Sequence, residues 1–156
     1  MQNTYLCFPS PIGDLWLCQT GGALTGLQAV PPADPDALRQ KETPLLTEAA
    51  RQLDAYFSGR RRQFDLPLAP AGTPFQQKVW QALRAIPYGE TRTYKEIALQ
   101  AGSPRACRAV GQANHRNPIM ILIPCHRVIG TDGRLTGFAY GTDRKQFLLD
   151  LERRNG

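Results

Sequence analysis

The chain has 156 residues, of which 42% are hydrophobic and 21% are charged, enough for one core or two small ones, and this composition excludes a disordered protein. No apolar stretch approaches the roughly 20 residues that cross a bilayer, and residues 1–5 lack the basic and apolar regions of a signal peptide, so we expect a cytoplasmic protein. The net charge is +6, and the excess positive charge lies in the second half of the chain. Residues 1–72 carry six Lys and Arg against seven Asp and Glu, whereas residues 73–156 carry thirteen against six. This asymmetry favours a polyanionic partner such as nucleic acid.

Residues 1–68 predict a small sheet with one helix packed on it. Strand-like patterns cover residues 4–8, 15–19 and 23–30, with turns rich in Pro and Gly between them, and residues 31–35 end the sheet. Thr43-Pro44 begins a helix with proline at its first position, and Gly59 ends it. Residues 66–72 are the linker candidate.

Two capping boxes predict helix starts after this linker. Thr73 with Gln76 begins a helix that ends before residue 87, and Thr93 with Glu96 begins a helix that ends at Gly102. In each box, two backbone N–H groups that the helix leaves unpaired receive side-chain partners, so the first residue of the helix is well defined.

The next helix is predicted from Pro104 to Asn114, and with the helix before it forms a helix-turn-helix unit. Arg105, Arg108 and Gln112 share one of its faces. Its small residues, which would let it approach another surface closely, are Ala106, Ala109, Gly111 and Ala113.

The end of the chain predicts a buried strand, a hairpin and a helix. Residues 119–123 form an apolar run that is typical of a buried strand. Strand-like runs at 127–129 and 134–138 flank a Gly-bounded loop with Asp-Gly, which favours a hairpin, and residues 143–153 form a helix. A helix-turn-helix followed by a hairpin is the layout of a winged-helix domain. The fold class is therefore α+β, with domains at 1–68 and 73–156.

Cys125 is the residue that carries chemistry. A thiol attacks as its thiolate, which needs a base or a positive field, and His126 and Arg127 follow it directly. Neighbouring side chains point to opposite faces of extended backbone, so His126 would act through a bridging water or after a bend at Pro124. Glu152 on the last helix is the candidate that orients the histidine.

The other cysteines have spacings that fit no zinc motif, and we expect no metal. Cys7, Cys18 and Cys107 are interpreted as packing residues.

The run Pro124-Cys125-His126-Arg127-Val128 resembles the active-site signature of the O6-alkylguanine-DNA alkyltransferases, or methylated-DNA–protein-cysteine methyltransferases. The resemblance is strong over residues 73–156 and weak over 1–72. The other segments that match the family in order are residues 75–80, 87–89, 93–94, 108–111, 117–118 and 121–124, followed by Lys145 and Leu148-Leu149.

The resemblance implies direct-reversal DNA repair by a suicide enzyme that works once and needs no cofactor. A methyl or larger alkyl group would pass from O6 of guanine, and also from O4 of thymine, to Cys125 after base flipping. The partner would be double-stranded DNA, bound through its minor groove by a monomer, with cooperative binding left open. The N-terminal domain would have an RNase H-like fold without catalytic residues.

The resemblance also implies roles for matching residues. His126 would be the base, acting through a water and backed by Glu152. Tyr94 would protonate the leaving guanine and crowd a backbone phosphate, and Arg108 would fill the vacated base stack. The other DNA-facing residues would be Arg105, Ala106, Ala109 and Gln112. Asn117 would join the two halves of the domain, and the remaining pocket residues would be Pro124, Arg127, Val128, Phe138, Ala139 and Tyr140.

Three of these residues depart from the family pattern. Phe138 stands where a tyrosine is usual and cannot donate a hydrogen bond, and Ala139 keeps only its backbone N–H for O6. Tyr140 replaces a glycine of some relatives, and we predict that its bulk disfavours benzyl groups.

Two other functions stay open from the residues alone. A cysteine hydrolase would need its base in direct contact with the thiol. A winged-helix regulator, or a lesion-binding protein without transfer activity, would not need Cys125.

Overall fold

The computed structural model of the chain describes residues 3–32, 39–133 and 141–155. The chain divides into two compact units, Met1–Ala71 and Gly72–Gly156. The first unit is a sheet with one helix and the second consists mainly of helices, so the predicted α+β class is confirmed. Within the described ranges, no helix combines the length and apolar character required to cross a membrane.

The first unit contains a four-stranded sheet in the order β3-β2-β1-β4. Its strands are β1 (Asn3–Ser10), β2 (Gly13–Thr20), β3 (Ala23–Gln28) and β4 (Arg39–Gln40). The first three pair antiparallel as the sequence predicts, whereas β4 lies parallel to β1. The expectation that the sheet ends at residues 31–35 is therefore wrong, because the chain returns to the opposite edge for two residues.

Helix α1 (Pro44–Phe57) covers this sheet with an apolar face. The Thr43 side chain accepts a hydrogen bond from Leu46 N, and Pro44 occupies the first turn, where a missing N–H costs nothing. The buried face includes Leu46, Leu53 and Tyr56. The predicted linker begins later than expected, because Leu24 pairs through its backbone with Pro67 and Ala69 and so ties those residues to the sheet.

The second unit positions the candidate site. In chain order it contains α2 (Pro74–Arg84), β5 (Arg92–Thr93), α3 (Tyr94–Gln100), α4 (Cys107–His115), a 3-10 turn (Cys125–Arg127), β6 (Val128–Ile129) and α5 (Thr142–Asn155). Both capping boxes are formed, at Thr73 with Gln76 and at Thr93 with Glu96. Helices α3 and α4 make the predicted helix-turn-helix.

Helix α4 starts three residues later than its sequence predicts. Ser103 to Ala106 form a turn closed by the Ala106 N–H on the Ser103 carbonyl at 2.9 Å. Ala106 caps the helix with a backbone outside the helical region and without a side-chain hydrogen bond. Arg105 therefore does not share a helical face with Arg108, and that expectation is wrong.

The apolar run 119–123 is a buried turn and not the predicted strand. Ile123 N donates to the Ile119 carbonyl at 3.0 Å, and Ile121 adopts a positive φ of 70°. The five residues are all buried. An apolar run alone cannot distinguish a buried strand from a buried turn.

The region after Cys125 also differs from the prediction. Residues 125–127 form a 3-10 turn, so the predicted strand from Arg127 is reduced to Val128–Ile129. That strand, β6, pairs in parallel with β5, so Val128 lies opposite Arg92. The predicted second arm of the hairpin, 134–138, lies outside the described residues.

Candidate active site

Cys125 begins the 3-10 turn and is 3% exposed. Burial raises the pKa of its thiol to about 11, although Asn117, Lys145 and the backbone N–H groups of the turn favour the thiolate. At neutral pH the resting side chain is therefore a neutral thiol, and it needs a base at the moment of reaction.

His126 is oriented by a carboxylate. Its Nε2 lies 2.6 Å from Oε2 of Glu152, and both side chains are buried. A carboxylate accepts hydrogen bonds, so Nε2 carries the proton and Nδ1 is left with a lone pair. Nδ1 is buried and has no hydrogen-bond partner among the described residues. Burial, helped by the charges of Arg127 and Lys145, lowers the pKa of His126 despite the opposing effect of Glu152, so the imidazole is neutral and can act as a base.

Neither ring nitrogen of the histidine hydrogen-bonds the thiol, since Nε2 bonds Glu152 and Nδ1 bonds no described residue. The sequence argument for this separation assumed extended backbone, which is wrong because Cys125 and His126 lie in a 3-10 turn. A water is the smallest group that can connect a buried lone pair to a nearby thiol.

Glu152 is the centre of a buried hydrogen-bond network. Besides His126 it accepts bonds from Arg127 Nε at 2.9 Å, from Arg127 Nη2 at 3.1 Å and from Gly89 N at 3.1 Å. Burial alone would raise the pKa of Glu152, but the hydrogen bonds and charges of His126 and Arg127 hold that pKa well below its usual range. The carboxylate is therefore anionic in the folded protein at any pH near neutrality.

Arg127 compensates this buried charge. Its Nη1 also donates to the Ile86 carbonyl at 2.7 Å, and its guanidinium lies 5.7 Å from the centre of the Tyr88 ring. The fork geometry of arginine satisfies Glu152 with two bonds and keeps a third for the backbone.

Asn117 secures the buried turn before the cysteine. Its Nδ2 donates to the Ile123 carbonyl at 2.7 Å, and its Oδ1 accepts from Ile119 N at 3.0 Å. A hydrogen bond from its side chain also lowers the pKa of Cys125. These bonds place Pro124, which precedes the 3-10 turn, and with it the thiol.

Lys145 was assigned no role from the sequence, yet the structure buries it completely. Its Nζ donates to the Val128 carbonyl, three residues after Cys125. Burial lowers the pKa of Lys145 to about 8, against a smaller opposite effect of Cys125. The signal that could have found it is spacing, because Lys145, Leu148, Leu149 and Glu152 share one helical face.

Tyr94 and α4 form a concave surface beside the site. A Cβ placed on Gly111 would lie 3.9 Å from the Tyr94 ring, an ordinary van der Waals contact, so the ring lies directly over this part of α4. The concave surface is lined by Tyr94, Cys107, Arg108, Gly111, Gln112, His115 and Arg116.

The predicted DNA-facing residues are only partly brought together. Arg108 and Gln112 are exposed on this surface, and Ala109 is exposed on the same helix. Arg105 and Ala106 precede the helix and do not line the surface. Phe138, Ala139 and Tyr140 lie outside the described residues. Within the described part of the chain, no three His, Cys, Asp or Glu side chains are grouped to hold a metal ion.

Two family models match the chain. The one described as "6-O-methylguanine DNA methyltransferase, ribonuclease-like domain" matches residues 3–70. The one described as "6-O-methylguanine DNA methyltransferase, DNA binding domain" matches residues 74–154, which include every predicted site residue.

Individual proteins are similar over nearly the whole length. The methylated-DNA–protein-cysteine methyltransferase of Methanosarcina acetivorans is 52% identical over 152 residues, which cover 95% of this chain and 97% of the relative. The constitutive enzyme of that name in Bacillus subtilis is 49% identical over 158 residues, covering 97% and 96%.

Solved structures show the same fold. The crystal structure of Mycobacterium tuberculosis O6-methylguanine methyltransferase matches with a TM-score of 0.92 and 46% identity, covering 99% of this chain and 95% of that one. The structure of Mycobacterium tuberculosis OGT in complex with DNA matches with a TM-score of 0.91 and 48% identity, covering 98% and 94%.

Proposed function

Because the chain belongs to the 6-O-methylguanine DNA methyltransferase family, whose members repair DNA by moving an alkyl group onto a cysteine of their own, we propose that Cys125 is the acceptor and His126 its base. The family membership confirms the resemblance seen in the sequence, and the ribonuclease-like description confirms the expected class of the first domain. Repair by direct reversal, DNA binding and a methyltransferase activity follow from it.

The observation that carries the proposal is the buried series of groups behind the thiol. Cys125 has a raised thiol pKa, His126 has a buried acceptor nitrogen, and Glu152 fixes the histidine tautomer at 2.6 Å. His126 removes the thiol proton through a water, and the imidazolium that forms is stabilised by the Glu152 carboxylate. A cysteine hydrolase is disfavoured because its base would bond the thiol directly.

The transfer is a displacement at carbon. The Cys125 sulfur forms a bond to the alkyl carbon as the bond from that carbon to O6 of guanine breaks, and the electron pair passes into the purine ring. Tyr94 supplies the proton that neutralises the leaving guanine. The thioether that results has no leaving group that water can displace easily, so each molecule acts once.

The DNA would be held by the surface of Tyr94 and α4. Arg108 and Gln112 are exposed there beside Gly111, whose lack of a side chain lets the helix come close to a narrow groove. We propose that α4 enters the minor groove of double-stranded DNA and that Arg108 replaces the flipped base in the stack. The protein would bind as a monomer, and its affinity would fall steeply with salt because the second half carries the positive charge.

A reducing compartment suits this chemistry, since an oxidised thiol cannot accept an alkyl group. We therefore propose that the protein works in the cytoplasm.

Mass spectrometry of the protein after one round of reaction tests the function. The protein is mixed with a double-stranded oligonucleotide that holds one O6-methylguanine, and then digested. We expect the peptide of Cys125 to gain one methylene and the peptides of Cys7, Cys18 and Cys107 to stay unchanged. Cys107→Ser should react like the wild type, and Cys125→Ser should not react. An unmodified, reduced Cys125 peptide would overturn the proposal. A second oligonucleotide with O4-methylthymine tests the wider substrate range.

A further inference from the structure

Two buried polar atoms beside Cys125 lack a hydrogen-bond partner in the described part of the chain. One is Nδ1 of His126, and the other is Oδ1 of Asn114. Asn114 is the penultimate residue of α4 and is 2% exposed. Its Nδ2 donates to the Cys125 carbonyl at 3.4 Å, so the amide lies against the peptide that joins Cys125 to His126.

The two unpartnered atoms are both acceptors. The only ring N–H of neutral His126 donates to Glu152, so Nδ1 offers a lone pair. The amide Nδ2 of Asn114 donates to the Cys125 carbonyl, so Oδ1 offers a second acceptor. A buried acceptor without a donor destabilises the folded protein, so such atoms are expected to bind a donor. The thiol of Cys125 is a donor whose proton must leave. One water in contact with all three groups would satisfy this set, because it would donate twice and accept from the thiol.

We propose that Asn114 is a positioning residue for proton removal from Cys125. Its Oδ1 accepts one hydrogen of the bridging water, which directs the other hydrogen to Nδ1 of His126 and the oxygen lone pair to the thiol. This inference rests on the proposed function of Cys125 and adds a residue to it.

The proton balance is complete without another reactant. The thiol proton moves to the water oxygen as a water hydrogen moves to Nδ1, which leaves the water intact, the sulfur anionic and His126 cationic. The sulfur then forms its bond to the alkyl carbon, and the bond to O6 breaks. His126 gains one proton and Tyr94 gives one proton to the guanine, so the net charge of the protein does not change.

The position of Asn114 adds a link to DNA. Arg108 lies on the same helix, six residues earlier. A displacement of α4 along the groove would therefore move Oδ1 relative to the thiol, so the water is correctly held only while the helix is correctly seated.

Replacement of Asn114 tests the inference in single-turnover assays with the methylated oligonucleotide. Asn114→Leu keeps the size and removes the acceptor, and Asn114→Ala is a second variant without one. Both should fall about 10-fold or more in rate at pH 7, because an oriented base contributes at least that much. Asn114→Asp keeps an oxygen acceptor and should recover most of the rate. DNA affinity should change little in all three.

The pH profile separates positioning from a structural effect. At higher pH hydroxide ionises the thiol without help, so the ratio of wild-type to Asn114→Leu rates should shrink steadily between pH 7 and pH 10. Trp80→Phe is the matched control, because it removes the bond from Trp80 Nε1 to the Ala113 carbonyl, one residue away on α4. Any effect of this control should be the same at every pH.

A double-variant cycle gives the second measurement. If Asn114 and His126 act on one water, Asn114→Leu should have little further effect in a His126→Phe protein. A constant rate ratio across pH, or full additivity with His126→Phe, would overturn the inference while wild-type methylation of Cys125 still supports the proposed function. Failure of the wild type to methylate Cys125 would instead remove the function itself.

Discussion

The ammonium group of Lys145 on α5 donates a hydrogen bond to the carbonyl oxygen of Val128, and both side chains are fully buried. The bond fixes the backbone that leaves the Cys125 turn. It also keeps a positive charge near the thiol, since Lys145 opposes the burial that raises the pKa of Cys125. A neutral resting thiol can therefore ionise more easily than its depth alone would allow.

We predict that Lys145→Met changes the pH dependence of alkyl transfer. The wild-type rate should rise with pH and then gain less above about pH 8, where Lys145 loses its charge. The variant should be at least 10-fold slower at pH 7, a loss of about 1.4 kcal/mol in transition-state stabilisation, and its rate should rise without that bend. Single-turnover rates between pH 6 and pH 10 measure this. A bend at the same pH in both proteins would contradict the role of Lys145.

The same substitution should stabilise the fold. The pKa of Lys145 falls from 10.5 to about 8 on folding, so its burial opposes folding below pH 8. That difference in pKa corresponds to a destabilisation of about 3 kcal/mol, which the substitution removes. Loss of the bond to Val128 costs about 1 kcal/mol, so we expect the free energy of unfolding at pH 7 to rise by about 1–2 kcal/mol. The gain should shrink as pH rises from 8 to 10.5, because the unfolded lysine loses its proton there. Denaturant unfolding at several pH values checks the sign, and a destabilised variant at pH 7 would contradict it.

Glu152→Gln should damage both stability and rate. The amide cannot stabilise an imidazolium and leaves the buried Arg127 without its counter-charge, which costs about 3 kcal/mol or more. Transfer should slow about 100-fold, with DNA affinity unchanged. Asp150→Asn is the control, since Asp150 is exposed on the same helix. Because the pKa of Glu152 is depressed by folding, its stabilisation is present above pH 4.5 and is lost on further acidification. The variant should therefore unfold with a weaker acid dependence, and equal acid sensitivity would contradict this account.

Arg108→Ala should separate base flipping from thiol chemistry. We expect a loss of about 10-fold or more in the rate on double-stranded DNA, since the vacated stack is no longer filled. The rate on free O6-alkylguanine base should stay within about twofold. Arg105→Ala should have the smaller effect on DNA, because Arg105 precedes α4. Equal losses of Arg108→Ala on both substrates would refute the insertion role.

Gly72→Ala should destabilise the protein, because the added methyl group would clash with the side chains of Trp80 and Gln76. A Cβ at residue 72 would lie 2.6 Å from Cζ3 of Trp80, which is buried and bonded to Ala113. We expect a loss of about 1–3 kcal/mol, as for other overpacked sites. Gly22→Ala is the control, since a Cβ there meets nothing within 4 Å. Thermal unfolding measures both variants, and equal melting temperatures would show that Trp80 moves away without cost.

The sequence predicts the parts of this fold that depend on near neighbours. The capping boxes at Thr73 and Thr93 are formed as expected because all their groups lie within four residues. The turn at residues 119–123 was not predicted, because an apolar run fits a buried strand as well as a buried turn. The side chain of Asn117 stabilises the turn by supplying both an acceptor and a donor.

The site follows the same division. Cys125 and His126 are recognisable from their own segment, and Glu152 was found as the carboxylate that the histidine needs. The depth of Lys145 and the unpartnered oxygen of Asn114 are set by packing between distant elements. Spacing along the chain gives at most a hint of such groups.

The two-residue pairing of β5 with β6 brings Arg92 beside Val128 and Thr93 beside Ile129. The residues proposed to contact the DNA on α3 and α4 lie in the segment between these two strands, so both ends of that segment are held at one place in the second unit. Once both ends of a loop are fixed, even a doubling of its length costs only about 0.6 kcal/mol. Insertions in the turn at Gly102 could therefore change groove preference while Tyr94 and Cys125 keep their separation. The DNA-binding preference of such a protein can therefore change in evolution while the reaction at the cysteine stays the same.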